Sequence, residues 1–317
     1  MSSIVMEPVP AGYLLSSCSQ MPKIEVNGKQ IFQLELQEPS PEIKEKARKE
    51  LRETPDVVEQ AKKELQDLLR EEEGLDTPYE LDQYLVRYLR PTKFYPESAL
   101  KLIKDYYEFK IKHKNVYDGL VPSKEKNIFS HDVITVLPKR DQEGRRILVL
   151  SLGKKWKHNK VSLDEFYKAA VLFSEAAALE PETQICGAQI IFDMDGLSLQ
   201  QTWQFTPPFA KRIVDWLQDS IPLRIKGIQI INQPYIFNMV FALFKPFLRD
   251  KLKSRIIFHG SDRKSLHQHL DPSCLPEEYG GTMTLPLIHG LQWYEMLVKM
   301  EPEFEKINCY GYKKGAK

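Results

Sequence analysis

Residues 220–260 read SIPLRIKGIQIINQPYIFNMVFALFKPFLRDKLKSRIIFHG, and the fold turns on how this stretch is understood. A β-rich run, Gly227 to Ile231, is stopped by Asn-Gln-Pro, where a helix can begin. From Tyr235 to Leu248 the only polar side chains are Asn238 and Lys245. A helix with one solvated face carries a polar stripe that recurs every three or four residues, and here the stripe is nearly absent. Two readings fit. One is a core helix of a large α/β domain. The other is a helix that covers an apolar cavity and turns its outer aromatics to a membrane. Basic flanks suit the second reading: Arg224 and Lys226 lie before the helix, and Arg249, Lys251, Lys253 and Arg255 lie after it.

Outward from this segment, the chain of 317 residues carries a net charge of +1 with 28% charged side chains. Such a composition is that of a soluble globular protein without a global bias toward nucleic acid. Cys18, Cys186, Cys274 and Cys309 have neither zinc-finger nor CxxC spacing and read as reduced thiols of a cytosolic protein. No run approaches the length of a membrane span, and Ser2 stands where myristoylation needs glycine. Any membrane contact is therefore expected to be peripheral and reversible.

Toward the N-terminus, residues 1–39 read as a flexible leader with a strand-like stretch at Ile31–Leu36. Over 40–120 the pattern is helical. Ser40-Pro41 and Thr54-Pro55 each combine an N-cap residue with proline at the first helical position. Helices are expected over 41–53, 55–73, from Thr77-Pro78 to Leu89, and over 96–112. Beyond Pro122 the pattern alternates. Strands are expected at Val133–Leu137, Ile147–Leu152, Ala188–Phe192, Gly227–Ile231 and Arg255–Phe258, with helices at Leu163–Leu179, Pro208–Leu217 and Tyr235–Leu248. Crossovers of that length predict an α/β domain over 121–285, with a mixed, mostly parallel β-sheet and covering helices. A C-terminal helix and tail fill 286–317.

Chemistry is sparse. The GxGxxG and GxxxxGK[ST] phosphate loops and the GxSxG elbow are absent. Asp193 and Asp195 in FDMDG read as turn-forming caps rather than a metal pair. His259, His267, His269 and Cys274 lack metal-site spacing. No catalytic residue, metal or cofactor is expected. The 235–248 helix instead supplies Phe237, Phe241 and Phe244, and the 163–179 helix supplies Tyr167, Phe173 and Ser174 beside the small residues Ala176–Ala178. An apolar cavity with a few hydroxyls is how proteins hold lipidic molecules.

PLRIKGIQIINQPYIFNMVFALFKPFLRDKLKSRIIFHG with LPEEYGG at 275–281, VRYLRPTKFYPESALKLI from Val86, and ETQICGAQIIFDMDGLS from Glu182 together resemble the CRAL-TRIO lipid-binding family. The likeness covers roughly residues 40–285 and is nearest the family's α-tocopherol transfer and retinaldehyde-binding branch. It implies a small all-helical domain ahead of the sheet, and a mobile gate helix over an apolar pocket. It also implies a cytoplasmic carrier, not an enzyme, that holds one hydrophobic molecule (α-tocopherol, a retinoid or a similar lipid). The expected pocket lining is Tyr167, Phe173, Ser174, Ile191, Phe192, Phe205, Phe237, Phe241 and Phe244. The branch's phosphoinositide patch falls on Arg224, Lys226, Lys251 and Arg255. One arginine of that patch falls on Thr92, a departure, with Lys93 next to it. The resemblance thus implies phosphatidylinositol phosphates and transient membrane contact as partners, and no nucleic acid. A lipid-sensing adaptor acting on a protein partner is the alternative.

Overall fold

The computed structural model describes residues 21–313. The chain opens with strands β1 (Lys23–Val26) and β2 (Lys29–Gln33), an antiparallel pair. Asn27 and Gly28 form the turn with φ of 51° and 74°. Both residues tolerate positive φ, and an Asn-Gly turn matches the twist of the flanking strands. Ile24, Ile31, Phe32 and Leu34 are buried, so this part of the supposed leader is a hairpin packed on the body; residues 1–20 lie outside the described residues. The signal was present as Asn-Gly between Glu25-Val26 and Lys29-Gln30-Ile31-Phe32.

A helical region follows: α1 (Pro41–Leu51), α2 (Pro55–Glu71), α3 (Asp82–Leu89), α4 (Pro96–Lys112) and the short α5 (Lys114–Tyr117) and α6 (Lys126–Phe129). Ser40 caps α1 by accepting from the Ile43 N–H at 3.4 Å, whereas Thr54 makes no side-chain cap bond to α2. Strand β3 (Leu75–Asp76) lies between α2 and α3. The apolar stripes of these helices meet in one cluster that includes Leu51, Leu65, Leu85, Tyr88 and Ile103. Ile185 and Cys186, from the later α8, enter the same cluster and join it to the sheet.

Next come β4 (Ile134–Val136), β5 (Arg146–Ser151), α7 (Leu163–Ala177), α8 (Pro181–Cys186), β6 (Ala188–Asp193), α9 (Leu199–Thr202), α10 (Pro207–Asp215) and β7 (Ile225–Ile231). They are followed by α11 (Phe237–Phe244), α12 (Asp250–Lys253), β8 (Ile256–Gly260) and α13 (Arg263–His267). The sheet runs β4-β5-β6-β7-β8, with β4 antiparallel to β5 and the remaining pairs parallel. A capping box at Ser162 and Glu165 starts α7. Side chains alternate along each strand. Leu148, Leu150, Ile190 and Phe192 face one side, beneath α7 and α10, while Ile147, Val149, Ile191 and Ile231 pack with Leu266, Leu270 and Tyr279 on the other. The end of the chain carries α14 (Gly290–Lys299), α15 (Glu301–Cys309) and β9 (Gly311–Tyr312). Strand β9 pairs antiparallel with β3, so the C-terminal tail is tied to the helical region as far as Tyr312.

Between helical region and sheet, Arg87 of α3 pairs with Glu175 of α7, and Tyr106 donates to the same carboxylate at 2.8 Å. Both charged side chains are nearly sealed from water. A pair so buried holds only while both partners stay in place.

Candidate functional site

Two cavities adjoin one another across a thin wall. The first lies between the sheet and α7, α10 and α14, has a volume of about 150 Å³, and is lined almost wholly by apolar side chains. Tyr167, Phe173, Ser174, Phe192, Phe205 and Phe244 all stand on its wall. The two hydroxyls are already engaged: Ser174 donates to the Val171 carbonyl at 2.8 Å, and Tyr167 shares a 2.7 Å bond with Tyr117. Ala170, Ala176 and Ala177 of α7 also face the space, and their small side chains leave it open.

Three expected lining residues stand elsewhere. Ile191 belongs to the opposite face of the sheet, in the cluster with Ile231 and Leu275. Strand parity forces this, because Ile190 and Phe192 already face the cavity and a neighbour points the other way. Phe237 and Phe241 stack on each other and pack on Phe258 of β8, at centroid distances of 6.2 and 4.9 Å, instead of lining the space. Helix α11 is shorter than the expected 235–248, ending in a tighter turn at Lys245–Phe247 where Pro246 supplies no N–H. Nor is it a core helix. Tyr235 is 91% exposed, Met239 55%, and Trp203, just past α9 that packs on α11, 65%. Most exposed large apolar side chains among the described residues lie on or beside this helix.

The second cavity is a polar cleft of about 820 Å³ between α1, α4 and the ends of β7 and α12. Arg224, Lys226, Lys251, Arg255 and Lys93 all line it, and so do Lys49, Lys101 and Arg249, which the sequence reading did not select for the patch. Against these eight cations stand three carboxylates, Glu50, Asp105 and Asp219. Asp105 holds Lys101 and Asp219 holds Arg249. Glu50 of α1 holds two cations, Arg224 at 2.7 Å and Lys226 at 3.1 Å. Among the described residues, Lys93, Lys251 and Arg255 have no carboxylate within ion-pair distance.

Local structure explains the convergence. Gly187 has φ of 89°, and a Cβ there would stand 2.2 Å from the Arg224 carbonyl; only glycine lets the turn after α8 pass so close. Arg224 then donates to the Ile185 carbonyl, and Arg255 donates to the Ile225 carbonyl. Lys93 and Phe94 both have φ of 57°, a left-handed conformation costing about 1 kcal/mol or more at a non-glycine. Phe94 is buried, and Thr92 donates to the Tyr88 and Leu89 carbonyls, which hold the turn that brings Lys93 to the cleft.

Electrostatics mark the crowding. Partial burial, then the charges of Arg255, Lys93, Arg224 and Arg249, push the Lys251 amine down. Burial and Arg224 do the same to Lys226 and Arg255. For Glu50 burial acts upward, but hydrogen bonds from Arg224 and Lys226 outweigh it and hold the carboxyl at about 2. The arrangement favours an anion, which relieves repulsion among like charges. Leu217, Ile221, Leu223 and Ile225 line both cavities, so the segment after α10, which includes a wide π-type turn at Trp216–Ser220, is all that divides them.

The other candidates are structural. Asp193 accepts from the Asp195 N–H at 3.0 Å and from Asn232 at 2.8 Å, beside Gly196 with φ of 72°. His259 bonds Ser265 and Gln229. No grouping of three or more metal-ligating side chains occurs among the described residues, and no helix among them is long and apolar enough to cross a membrane.

An apolar cavity between a β-sheet and its covering helices is the architecture of a lipid-binding protein. Residues 130–281 match the CRAL/TRIO domain. A Homo sapiens protein named alpha-tocopherol transfer protein-like is 35% identical over 265 residues, 83% of this chain and 76% of that one. Clavesin-1 of Rattus norvegicus is 33% identical over 275 residues, 86% of this chain and 76% of its own. The crystal structure of Sfh5 shares the fold, with a TM-score of 0.51 at 16% identity over 79% of this chain and 91% of that one. The chain belongs to the CRAL-TRIO family, whose members are lipid carriers and not enzymes.

Proposed function

We propose that this protein takes one hydrophobic molecule, of the size and character of α-tocopherol or a retinoid, into the apolar cavity and transfers it to phosphoinositide-bearing membranes. The observation that carries this reading is the wall shared by the apolar cavity and the cationic cleft. Docking of anionic headgroups in the cleft acts on the segment that also encloses the ligand. Helix α11 serves as the gate, with Phe244 on the cavity and Tyr235 and Met239 outward. A space of about 150 Å³ is close to one that admits benzene, ~150 Å³; a whole lipid needs the wall to move outward. Membrane contact supplies the bias between the closed and open states, because the exposed apolar side chains lose their cost when lipid replaces water. The name of the α-tocopherol transfer protein-like relative is consistent with a chromanol or similar ligand.

The test is transfer of a fluorescent tocopherol analogue between vesicles, with phosphatidylinositol phosphate in the acceptor. Arg224→Glu with Lys251→Glu is expected to slow transfer by at least tenfold while leaving loading unchanged. Unchanged transfer would remove the docking step. Ligand bound by the wild type with negligible transfer between vesicles would favour a lipid-sensing adaptor.

A further inference from the structure

The cavity has two ends of different construction. At one end it is bounded by Phe244 of α11, a helix held by apolar contacts and partly open to water. Toward β4 it is bounded by Phe32 and Leu34 of the N-terminal hairpin segment and by Trp293, Met296 and Leu297 of α14. Both of those segments lie outside residues 130–281, the part that matches the family domain. The Phe32 ring is gripped from two sides, by the Arg146 guanidinium at 4.6 Å and by the Trp293 indole edge-on at 4.7 Å. Trp293 is itself anchored by donating to Thr135 at 2.8 Å.

Immediately beyond Leu34 the chain enters a partly buried ion network. Glu35 accepts from Arg140 at 2.6 and 2.8 Å and lies 3.1 Å from Arg146, while its N–H donates to Glu180 at 3.1 Å. Glu180 is 1% exposed and binds Arg146 through two hydrogen bonds of 2.6 and 2.9 Å. Removing one member of such a network strands a buried charge, so the segment resists displacement. Arg146 and Glu180 of the network also line this end of the cavity beside Phe32 and Leu34, but their charges are taken up by one another and by Arg140 and Glu35. A further, polar hollow of about 430 Å³ opens on the outer side and shares Phe32, Leu34 and Arg146 with the cavity. One strand's thickness therefore separates this end of the cavity from the exterior.

From this construction we infer that Phe32 and Leu34 are specificity-determining residues. They form a fixed stop against which the apolar tail of the ligand abuts, and so set the length of tail that the protein accepts. The inference rests on the lipid-carrier reading above and adds to it the end of the cavity at which the length of the ligand is read. With one end fixed and the other movable, the cavity measures length from the hairpin.

Wild type, Phe32→Ala, Leu34→Ala and Phe32→Trp would each be equilibrated with a homologous series of straight-chain fatty alcohols. The bound distribution is read by native mass spectrometry, and folding is checked by circular dichroism. Both alanine variants are expected to move the optimum to longer chains, with about fourfold in affinity for each further methylene admitted. Phe32→Trp is expected to move it to shorter ones. A retained wild-type optimum in folded variants overturns the inference. So does a shift of Phe32→Ala and Phe32→Trp in the same direction, which is what loosening of the fold produces. Should Phe32→Ala not fold, Leu34→Ala and Phe32→Trp decide the matter by their opposite signs. A wild type that binds no member of the series would instead remove the carrier reading, and the stop with it.

Discussion

Glu50→Gln separates the two roles of the cationic cleft. The Glu50 carboxylate, about one-third exposed, neutralises Arg224 and Lys226 from across the junction between α1 and β7. Any anionic headgroup has to compete with it. Replacement by glutamine keeps the shape and removes the charge, which frees two cations. Each basic residue near an anionic surface is worth about 1 kcal/mol. The variant should therefore bind phosphoinositide vesicles up to roughly 25-fold more tightly at low salt. At 0.15 M salt the gain should shrink, because charges further apart than about 8 Å are screened. The fold should lose about 1 kcal/mol or less, the worth of a partly exposed ion pair, and with it about 2–4 °C in Tm. Vesicle sedimentation at two salt concentrations, paired with thermal unfolding, measures both quantities. Binding equal to or weaker than wild type, in a folded variant, would refute the competition. The pH dependence has a definite sign. Glu50 is held at about 2, below the ordinary 4.5. Its stabilising contribution is complete above the ordinary value and is lost only as pH falls from there toward 2. The α1 contact should therefore not release on mild acidification, and Glu50 should add no slope to wild-type vesicle binding between neutral pH and about pH 5.

Tyr235→Asp with Met239→Asp should leave unfolding free energy within about 0.5 kcal/mol of wild type, since both side chains face water. The same pair should cut vesicle partitioning at least tenfold, and retained partitioning would show that α11 does not enter the lipid. Arg87→Ala should destabilise by about 3–5 kcal/mol in urea unfolding, because it leaves Glu175 charged and buried. A cost under 1 kcal/mol would mean that the carboxylate finds water.

How much of this was legible in the sequence differs by feature, for physical reasons. Helices α1, α2 and α4 begin at the prolines where cap and N1 signals predict, and the five sheet strands fall within two residues of their expected starts. Such signals are local, carried by neighbours one to four residues apart. The hairpin at residues 23–33 was equally local, and Asn27-Gly28 marks it. The strand expected alone at Ile31–Leu36 is represented by β2, which pairs with β1 across that turn. Strand parity was also available. Ile191 and Phe192 are consecutive, and one face cannot hold both.

The apolar character of residues 235–248 was evident in the sequence, but not its placement. Only the packing of Phe237 and Phe241 on Phe258 decides that those two rings brace β8 while Phe244 meets the cavity. Periodicity states which side chains share a face and says nothing about what that face touches. Sequence alone determined the main helices of the N-terminal region, the five strands of the sheet and their order, its mostly parallel character and the presence of surplus cations around 224–255. Tertiary structure decided that Glu50 answers Arg224 across 174 positions of chain. It also decided that residues 217–225 separate a hydrophobic space from a charged one, and that the N-terminal segment closes the far end of the cavity. Those pairings are selected by the joint packing of many elements, and no short stretch of chain contains that information.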